Sequence, residues 1–165
     1  MNIIVIAHNI RSTHNIGSIF RSCEGFGVER LILSGYSPYP HIEGDERLPH
    51  IVTKLEKQIN KTALGAEQLV HYEYREIPPL EMLRSAGYRI VGLEQDKRSI
   101  MLPGYEPSAK IALLLGEEVE GINDSLRSMC DDLVEIPMYG QKESFNVSVA
   151  TGIALYAFTT KPSVA

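Results

Sequence analysis

A polar turn near the carboxyl-terminal end of the chain carries the residue types best suited to chemistry. It separates the apolar segment at residues 133–136 from a segment rich in small residues that follows position 146. Ser144 and Asn146 lie two positions apart, where the turn gives way to a predicted helix. Their side chains can hydrogen-bond a ligand beside the free N–H groups of the first helical turn. We therefore expect function to reside in this turn rather than in its apolar flanks.

The elements that position this turn are predicted from apolar runs and helical spacing. Continuous apolar runs predict strands, and apolar residues three and four positions apart predict helices. The predicted strands cover residues 2–7, 30–34, 69–74, 88–94, 110–115 and 133–136. The predicted helices cover 16–25, 79–86, 123–129 and 146–158, with a short helix and a loop at 51–65 and a frayed tail at 159–165. This alternation is typical of an α/β domain with a mostly parallel sheet flanked by helices.

The composition is that of an ordinary soluble globular protein. The chain has 165 residues, of which 44% are hydrophobic and 22% charged, and this length favours a single domain over residues 1–165. An apolar run of roughly 20 residues, as needed to cross a bilayer, is absent from the sequence. The first residues lack the features of an export signal, so we expect a cytoplasmic protein with no membrane partner.

Charge and metal-ligand spacing narrow the possible partners. The net charge of −5 makes the protein as a whole repel nucleic acid. Basic and acidic residues nearly balance between positions 11 and 61, so an RNA-binding surface would have to be local and in this first half. The two cysteines and five histidines lack the spacing of metal ligands, and we expect no metal.

Three loops that follow predicted strands are expected to form one pocket. They cover residues 8–15, 116–121 and 137–145. In open α/β sheets, ligands bind beyond the carboxyl ends of the strands, where such loops meet. None of the three has the glycine pattern of a dinucleotide or triphosphate loop, so a different ligand is indicated.

These loops carry three motifs that resemble the signature motifs of the SpoU (TrmH-like) RNA 2′-O-ribose methyltransferases, which belong to the SPOUT class. The first motif is Asn15 to Arg21 (NIGSIFR), and the second is Gly116 to Ile122 (GEEVEGI). The third joins Ile136 to Met138 (IPM) with Glu143 to Ala150 (ESFNVSVA). All three occur in order, and the resemblance covers nearly the whole chain.

The resemblance implies a fold and an activity that composition cannot reveal. It implies a deep trefoil knot in the C-terminal part of the chain, a rare feature in proteins. S-adenosyl-L-methionine would bind at the knot as the methyl donor, and a homodimer would complete the site across its interface. The chain starts at the first predicted catalytic strand, so we expect no separate RNA-binding domain. We therefore expect the dimer to bind a compact RNA, with tRNA favoured over rRNA.

The resemblance also implies roles for individual residues. The implied catalytic residues are Arg21, Ser144, Asn146, Asn15 and Glu118. The implied cofactor-binding residues are Leu93, Glu94, Gly116, Ile136, Met138, Ser144 and Phe145, although the family usually has leucine where this chain has Phe145. Because a guanidinium keeps its proton above pH 12, we expect Arg21 to clamp phosphate and the developing alkoxide rather than to act as the base. Glu118 is expected to orient Arg21 or the partner subunit.

Plainer interpretations of these residues stay open at this point. Asn15 is also a good helix N-cap, and Arg21 also suits a solvated helix surface. The candidate RNA contacts are Arg11, His14, Arg30, Arg47 and Lys54, with Lys57 and Lys61 nearby. Two other activities also stay open, which are methylation of an RNA base by a SPOUT enzyme and RNA binding without catalysis.

Overall fold

A parallel seven-stranded sheet organises the protein, whose computed structural model describes residues 1–161. The strands are β1 (Asn2–His8), β2 (Arg30–Ser34), β3 (Tyr72–Arg75), β4 (Arg89–Leu93), β5 (Ile100–Met101), β6 (Lys110–Leu115) and β7 (Asp132–Glu135). Their order in the sheet is β3-β2-β1-β6-β4-β7-β5, and every neighbouring pair is parallel. All carboxyl ends therefore lie at one edge of the sheet, as the predicted α/β fold requires.

Helices cover both faces of this sheet. They are α1 (Thr13–Gly25), α2 (Pro49–Ala63), α3 (Leu80–Ser85), α4 (Asp124–Ser128) and α5 (Val147–Thr159). Short 3₁₀ helices lie at Ala66–Gln68 and Leu102–Gly104. None of the helices within residues 1–161 is long and apolar enough to cross a membrane.

Alternate residues of the central strands build two separate cores. On β1, Val5 packs with α1 and α5 residues such as Phe20 and Phe158. Its neighbour Ile6 faces the other way and packs with Leu83 of α3. The strands therefore bury side chains on both faces, which explains why their sequences are continuous apolar runs rather than alternating ones.

Helix α2 corrects the prediction for residues 51–65. The structure has one helix of 15 residues there instead of a short helix and a loop. It begins with Pro49 and ends at Leu64, which has a left-handed backbone (φ 53°). Its buried residues Val52, Ile59 and Ala63 form a narrow stripe at helical spacing, and the charged residues between them conceal it in the sequence.

Two smaller predictions also need correction. The segment predicted as a loop between positions 95 and 109 contains β5, a two-residue edge strand that pairs with β7. A strand this short has no detectable period in sequence. In the tail predicted to fray, Lys161 donates hydrogen bonds to the carbonyl oxygens of Leu102, Pro103 and Tyr105 at 3.1, 2.7 and 2.9 Å. Residues 162–165 lie outside the described part of the chain.

Helices α1 and α2 touch through a glycine. A Cβ atom on Gly17 would lie 2.1 Å from Thr62 Oγ1 and 2.3 Å from the carbonyl oxygen of Ile59. Thr62 Oγ1 also donates a hydrogen bond of 2.8 Å to the carbonyl oxygen of His14. Only glycine permits this approach, so the two helices form one closely packed unit.

Candidate functional site

A cavity of about 520 Å³ opens at the carboxyl edge of the sheet. The ends of β4, β6 and β7 and the beginning of α5 surround it. Two of the three predicted loops, 116–121 and 137–145, contribute to its wall. The cavity lining includes all seven predicted cofactor-binding residues, namely Leu93, Glu94, Gly116, Ile136, Met138, Ser144 and Phe145. This size is in the range of pockets that hold small molecules and cofactors.

The loop after β6 is a tight hairpin that depends on two glycines. Glu117 and Gly121 exchange two backbone hydrogen bonds of 3.1 and 3.0 Å. A Cβ on Gly116 would lie 2.3 Å from the carbonyl carbon of Gly121, and Gly121 itself has φ +68°. These contacts involve backbone atoms, which cannot move aside as a flexible side chain can. The glycines therefore fix the backbone path at the cavity wall.

Glu94 and Gln95 connect this hairpin with the other loops of the site. Glu94 accepts hydrogen bonds from the backbone N–H groups of Ile122 (2.6 Å) and Gln95 (2.9 Å). The side-chain amide of Gln95 donates to the carbonyl oxygen of Glu143 at 2.6 Å. Within the described residues, this is the one hydrogen bond that joins segment 137–145 to the rest of the chain. The sequence reasoning missed Gln95, although its place directly after β4 could have indicated it.

The cavity lining combines an apolar wall with carboxylates. Apolar side chains from Leu93, Leu115, Ile136, Met138, Phe145 and Val147 form one part. Carboxylates line the remainder and come from Glu94, Glu117, Glu118, Glu120, Glu135 and Glu143. A flat apolar group fits the first part, and the second attracts positive charge while it repels phosphate. The cavity therefore suits a cationic ligand better than a nucleotide di- or triphosphate.

A hydrogen-bond network joins one residue from each of the three motifs. Glu118 Oε1 accepts from the side-chain amide of Asn15 at 3.1 Å. Asn15 Oδ1 in turn accepts from the side-chain amide of Asn146 at 3.2 Å. Asn146 Oδ1 accepts from the backbone N–H of Ser148 at 3.0 Å and so caps α5. The loop at residues 8–15 thus reaches the site through this network and not as part of the cavity wall.

The network corrects two expectations about these residues. Ser12, not Asn15, is the N-cap of α1, since its hydroxyl accepts from the backbone N–H of Asn15. Glu118 was expected to orient Arg21 or the partner subunit. Within one copy of the chain its carboxylate instead accepts from the backbone N–H groups of Arg11 and Ser12, both at 3.3 Å, and a contact with a partner stays a prediction. The side chain of Asn15 is consequently free to contact Asn146.

The environment of Glu118 keeps its carboxylate ionised. Partial burial acts to raise the pKa of Glu118, but hydrogen bonds outweigh this effect. The donors are its own backbone N–H, the Asn15 amide and the backbone N–H groups of Arg11 and Ser12, and together they hold the pKa below its usual value. Glu118 is therefore a poor general base at neutral pH and acts as a fixed acceptor.

Arg21 lies outside the main cavity. Its exposed side chain lines a shallow depression together with Lys61, Leu64, Ser148 and Val149. None of the hydrogen bonds or ion pairs formed within residues 1–161 connects Arg21 to Glu118. A single subunit therefore does not bring Arg21 together with Ser144 in one cavity.

The burial of His8, at the carboxyl end of β1, predicts that folding stability depends on pH. Burial lowers its pKa from the usual 6.5, and its Nδ1 shares a hydrogen bond of 2.9 Å with Ser34 Oγ. Below pH 6.5 the unfolded chain binds a proton that the folded chain still excludes. We expect the free energy of unfolding, measured with urea, to be smaller at pH 5.5 than at pH 7.5. His8→Gln should reduce this difference, and an unchanged difference in that variant would contradict the assignment to His8.

Comparison with known proteins decides the family. A family model for the SpoU rRNA Methylase family matches residues 47–156, about two thirds of the chain. The chain belongs to this family. The SpoU chain is 31% identical over 157 residues to the tRNA (guanosine(18)-2'-O)-methyltransferase of Aquifex aeolicus, covering 94% of the chain and 67% of the relative. It is 30% identical over 156 residues to the 23S rRNA (guanosine-2'-O-)-methyltransferase RlmB of Coxiella burnetii, covering 93% of the chain and 56% of that relative.

Solved SpoU structures share the same architecture. The A. aeolicus TrmH/SpoU tRNA modifying enzyme matches with a TM-score of 0.75 and 28% identity, over 96% of this chain and 74% of that chain. The SpoU methyltransferase AviRb from Streptomyces viridochromogenes, crystallised in complex with the cofactor AdoMet, matches with a TM-score of 0.76 and 25% identity, over 96% and 57% of the two chains. Across these four matches, the SpoU chain spans from 56% to 74% of the relative's length.

The candidate RNA contacts of the SpoU chain occupy different parts of the surface. Arg11 is exposed near the site and pairs with Glu117 at 2.7 Å. His14 is exposed at the beginning of α1, and Lys54 is exposed on α2. Lys54 forms no ion pair with any residue in the described part of the chain. Arg11 and His14 can therefore meet phosphate at the carboxyl edge of the sheet, and Lys54 is open to phosphate on the surface of α2.

Arg30 and Arg47 do not fit the expected role in RNA contact. Arg30 begins β2 at the amino edge of the sheet, opposite the cavity, and pairs with Glu73 at 3.2 Å. Arg47 donates to both carboxylate oxygens of Asp45 and to the carbonyl oxygens of Tyr39 and Pro40. The guanidinium of Arg47 is therefore already bonded within the protein. The sequence shows only a charged residue in a predicted loop and could not reveal these bonds.

Proposed function

We propose that this chain is an S-adenosylmethionine-dependent methyltransferase that modifies ribose 2′-hydroxyl groups of RNA. The observation that carries the proposal is the cavity in which the second and third SpoU motifs form one wall. Membership of the SpoU family and the likeness to AviRb, which was crystallised with AdoMet, support it. The relatives named above modify tRNA or 23S rRNA, and the tRNA enzyme matches over a larger share of its length.

The lining of the cavity fits S-adenosylmethionine. When bound, this cofactor supplies an activated methyl group on a positively charged sulfur. The apolar wall, with Ile136, Met138 and Phe145, suits its adenine ring, and the surrounding carboxylates suit its positive charge. Ser144, exposed at the cavity wall, offers a hydroxyl to a polar group of the ligand.

The chain's own residues contribute mainly by positioning. Because the donor is already activated, holding the ribose hydroxyl in line and excluding water supply most of the rate acceleration. Asn146, which is fixed by Asn15 and by its capping bond to Ser148, stands between the cavity and the first motif. Arg21 would clamp the target phosphate and stabilise the negative charge that develops on the ribose oxygen.

The active form in this proposal is a homodimer with a knotted C-terminal part. Within one subunit, Arg21 lies beside Val149 on a face formed by α1, α5 and the end of α2, where Leu64 and Tyr156 are 66% and 62% exposed. Burial of this face against a second subunit would place the partner's arginine near the cavity. The SpoU resemblance supports the knot, whose crossing would lie at segments 116–121 and 137–145, where both loops line the cavity.

Transfer of a radiolabelled methyl group tests the proposed reaction. Purified protein is incubated with tritiated S-adenosylmethionine and, separately, with bulk tRNA or 23S rRNA from a strain that lacks the gene. We expect labelling of tRNA and an alkali-resistant dinucleotide at the product, because a 2′-O-methyl group blocks cleavage of the next phosphodiester. Label in an alkali-sensitive nucleotide would instead indicate base methylation, and absence of label from both RNAs would contradict the proposal.

Glu118→Gln should lower kcat/KM for RNA methylation by about 10- to 100-fold, the usual effect of losing hydrogen bonds to a charged group. The amide keeps the shape of the side chain but turns one acceptor into a donor that faces backbone N–H groups. Glu120→Gln is the matched control, because Glu120 lies on the same hairpin and its carboxylate makes no hydrogen bond with the described residues. Equal losses in both variants would show that cavity charge matters and the network does not.

A further inference from the structure

A second cavity of about 580 Å³ lies beside the first, at the carboxyl ends of β1 and β2. Arg11, Ser12, Tyr36, Ser37, Tyr39 and Arg47 contribute to its lining. The two cavities are neighbours, because Arg11 of the second pairs at 2.7 Å with Glu117 of the first. Their linings differ, since six glutamates line the first, whereas the second has two arginines, of which Arg47 is neutralised by Asp45 and Arg11 is the more exposed.

The floor of this cavity is rigid without a ligand. Buried Ser37 donates its hydroxyl to the carbonyl oxygen of Ala7 at 2.8 Å and accepts from the backbone N–H of Ile10 at 2.9 Å. The ring of Tyr39 stacks on Tyr74 with centroids 4.1 Å apart, and the guanidinium of Arg47 lies 3.5 Å from the Tyr39 centroid. The hydrogen bonds and stacking contacts of these groups are all made within the protein, so this wall of the cavity is formed without a ligand.

Two outer groups of the same cavity are available to a ligand. Tyr36 is 50% exposed, and the side chain of Arg11 is 72% exposed. The guanidinium carbon of Arg11 lies 5.7 Å from the centroid of the Tyr36 ring. Arg11 pairs with Glu117, whose side chain is only 16% exposed, but the guanidinium itself is open to solvent, so a phosphate can approach its exposed side.

The backbone holds Tyr36 in place despite its exposure. Asn9 and Gly35, which directly follow β1 and β2, have positive φ values of 58° and 62°. Asn9 Oδ1 accepts from the backbone N–H of Tyr36 at 3.2 Å, and a Cβ on Gly35 would lie 1.9 Å from that oxygen. Such unusual backbone conformations persist where the surrounding structure enforces them, and they often mark functional positions. Here these backbone conformations hold Tyr36, whose exposed ring lies beside Arg11.

We propose that this second cavity binds a nucleotide that flanks the target nucleotide in the RNA. The base stacks on Tyr36, and its phosphate pairs with Arg11. Aromatic and guanidinium groups together are the usual means of binding an unstacked base, whichever base it is. The inference rests on the proposed function, because it assigns the RNA strand a path beside the donor cavity.

Replacement of Tyr36 tests the stacking interaction. Tyr36→Ala should raise KM for the methylated RNA by about 5- to 100-fold, the effect of losing one base stack. Tyr36→Phe keeps the ring and should stay within about twofold of the original protein. Affinity for S-adenosylmethionine should be the same in both. Met82→Ala is the matched control, because Met82 is 51% exposed on α3, on the opposite face of the sheet. An unchanged KM in Tyr36→Ala would overturn the proposal.

A fluorescence experiment separates this proposal from the proposed reaction. The chain contains no tryptophan, so Tyr36→Trp introduces a single reporter. Bulk tRNA, or 23S rRNA if only that RNA accepts methyl groups, should quench this tryptophan, whereas Met82→Trp should not respond. Quenching without any methyl transfer would overturn the proposed reaction and support the nucleotide site. Methyl transfer without quenching would overturn the nucleotide site and support the reaction.

Discussion

Replacing Arg21 by alanine should lower kcat for RNA methylation by about 100- to 1,000-fold, the usual effect of removing a group that stabilises developing charge. Arg21→Lys should lose nearly as much, because an ammonium cannot reproduce the two parallel hydrogen bonds of a guanidinium. Affinity for S-adenosylmethionine, measured by calorimetry, should not change, since the proposed contacts of Arg21 are with the RNA phosphate and the ribose oxygen and not with the donor. Arg75→Lys, at the edge of the sheet, is the control. Full turnover by Arg21→Lys would rule out the proposal that Arg21 clamps the target phosphate and the developing alkoxide.

Mixed dimers extend this test to the proposed completion of the site by a second subunit. Asn146→Ala should reduce activity more than cofactor affinity, since its side chain contacts Asn15 and Ser148. Arg21→Ala subunits are mixed in equal amounts with Asn146→Ala subunits, so that about half of the dimers contain one subunit of each kind. Each mixed dimer has two sites, and one of them combines an intact Arg21 with an intact Asn146. About a quarter of all sites should therefore regain activity. Without recovery of activity, Arg21 would have to act within its own subunit.

The second large effect is expected from Gly116→Ala. Its Cβ would lie 2.3 Å from the carbonyl carbon of Gly121 and 2.4 Å from the nitrogen of Ile122, so the hairpin must change its path. Backbone strain of this kind should weaken binding of S-adenosylmethionine by about 10- to 100-fold in calorimetry. Hydrogen bonds from Ile122 to Glu94 should be disturbed by the same shift.

Gly140→Ala is the matched control for the hairpin variant. Gly140 lies in segment 137–145, which lines the same cavity, but a Cβ there would meet no atom within 4 Å. Its affinity for S-adenosylmethionine should equal that of the original protein. Melting temperatures of both variants distinguish a local effect from unfolding. Normal cofactor affinity in a folded Gly116→Ala protein would show that the hairpin takes no part in binding.

The sequence predicted correctly those elements of the fold that have one strong pattern, such as a continuous apolar run. The bounds of β2 and β6 were predicted correctly because both strands are continuous apolar runs between polar residues or glycines. The convergence of the second and third motifs on one cavity was also expected, because parallel strands must end at the same edge of a sheet. The predicted cofactor residues consequently lie together, and their roles in binding stay a prediction.

The remaining features depend on contacts between distant residues. The capture of Arg47 by Asp45 and by two carbonyl oxygens follows from the folded path of a loop, so charge alone suggested a different role. The link between Glu118 and Asn15 joins residues 103 positions apart in the chain. Arg21 is the clearest case, because its proposed role requires a second copy of the chain. The sequence of one chain does not show how two copies would be arranged.

The glycine contact between α1 and α2 has a consequence for RNA binding. Gly17 and Thr62 hold the helix that carries Arg21 against the helix that carries Lys54. In the proposed complex, a strand bound to Lys54 would meet Arg21 on a helix whose position is already held by this contact. In that complex these two helices would not have to be assembled by the RNA, and the ordering of the target nucleotide, which must unstack, would be a main entropic cost of binding.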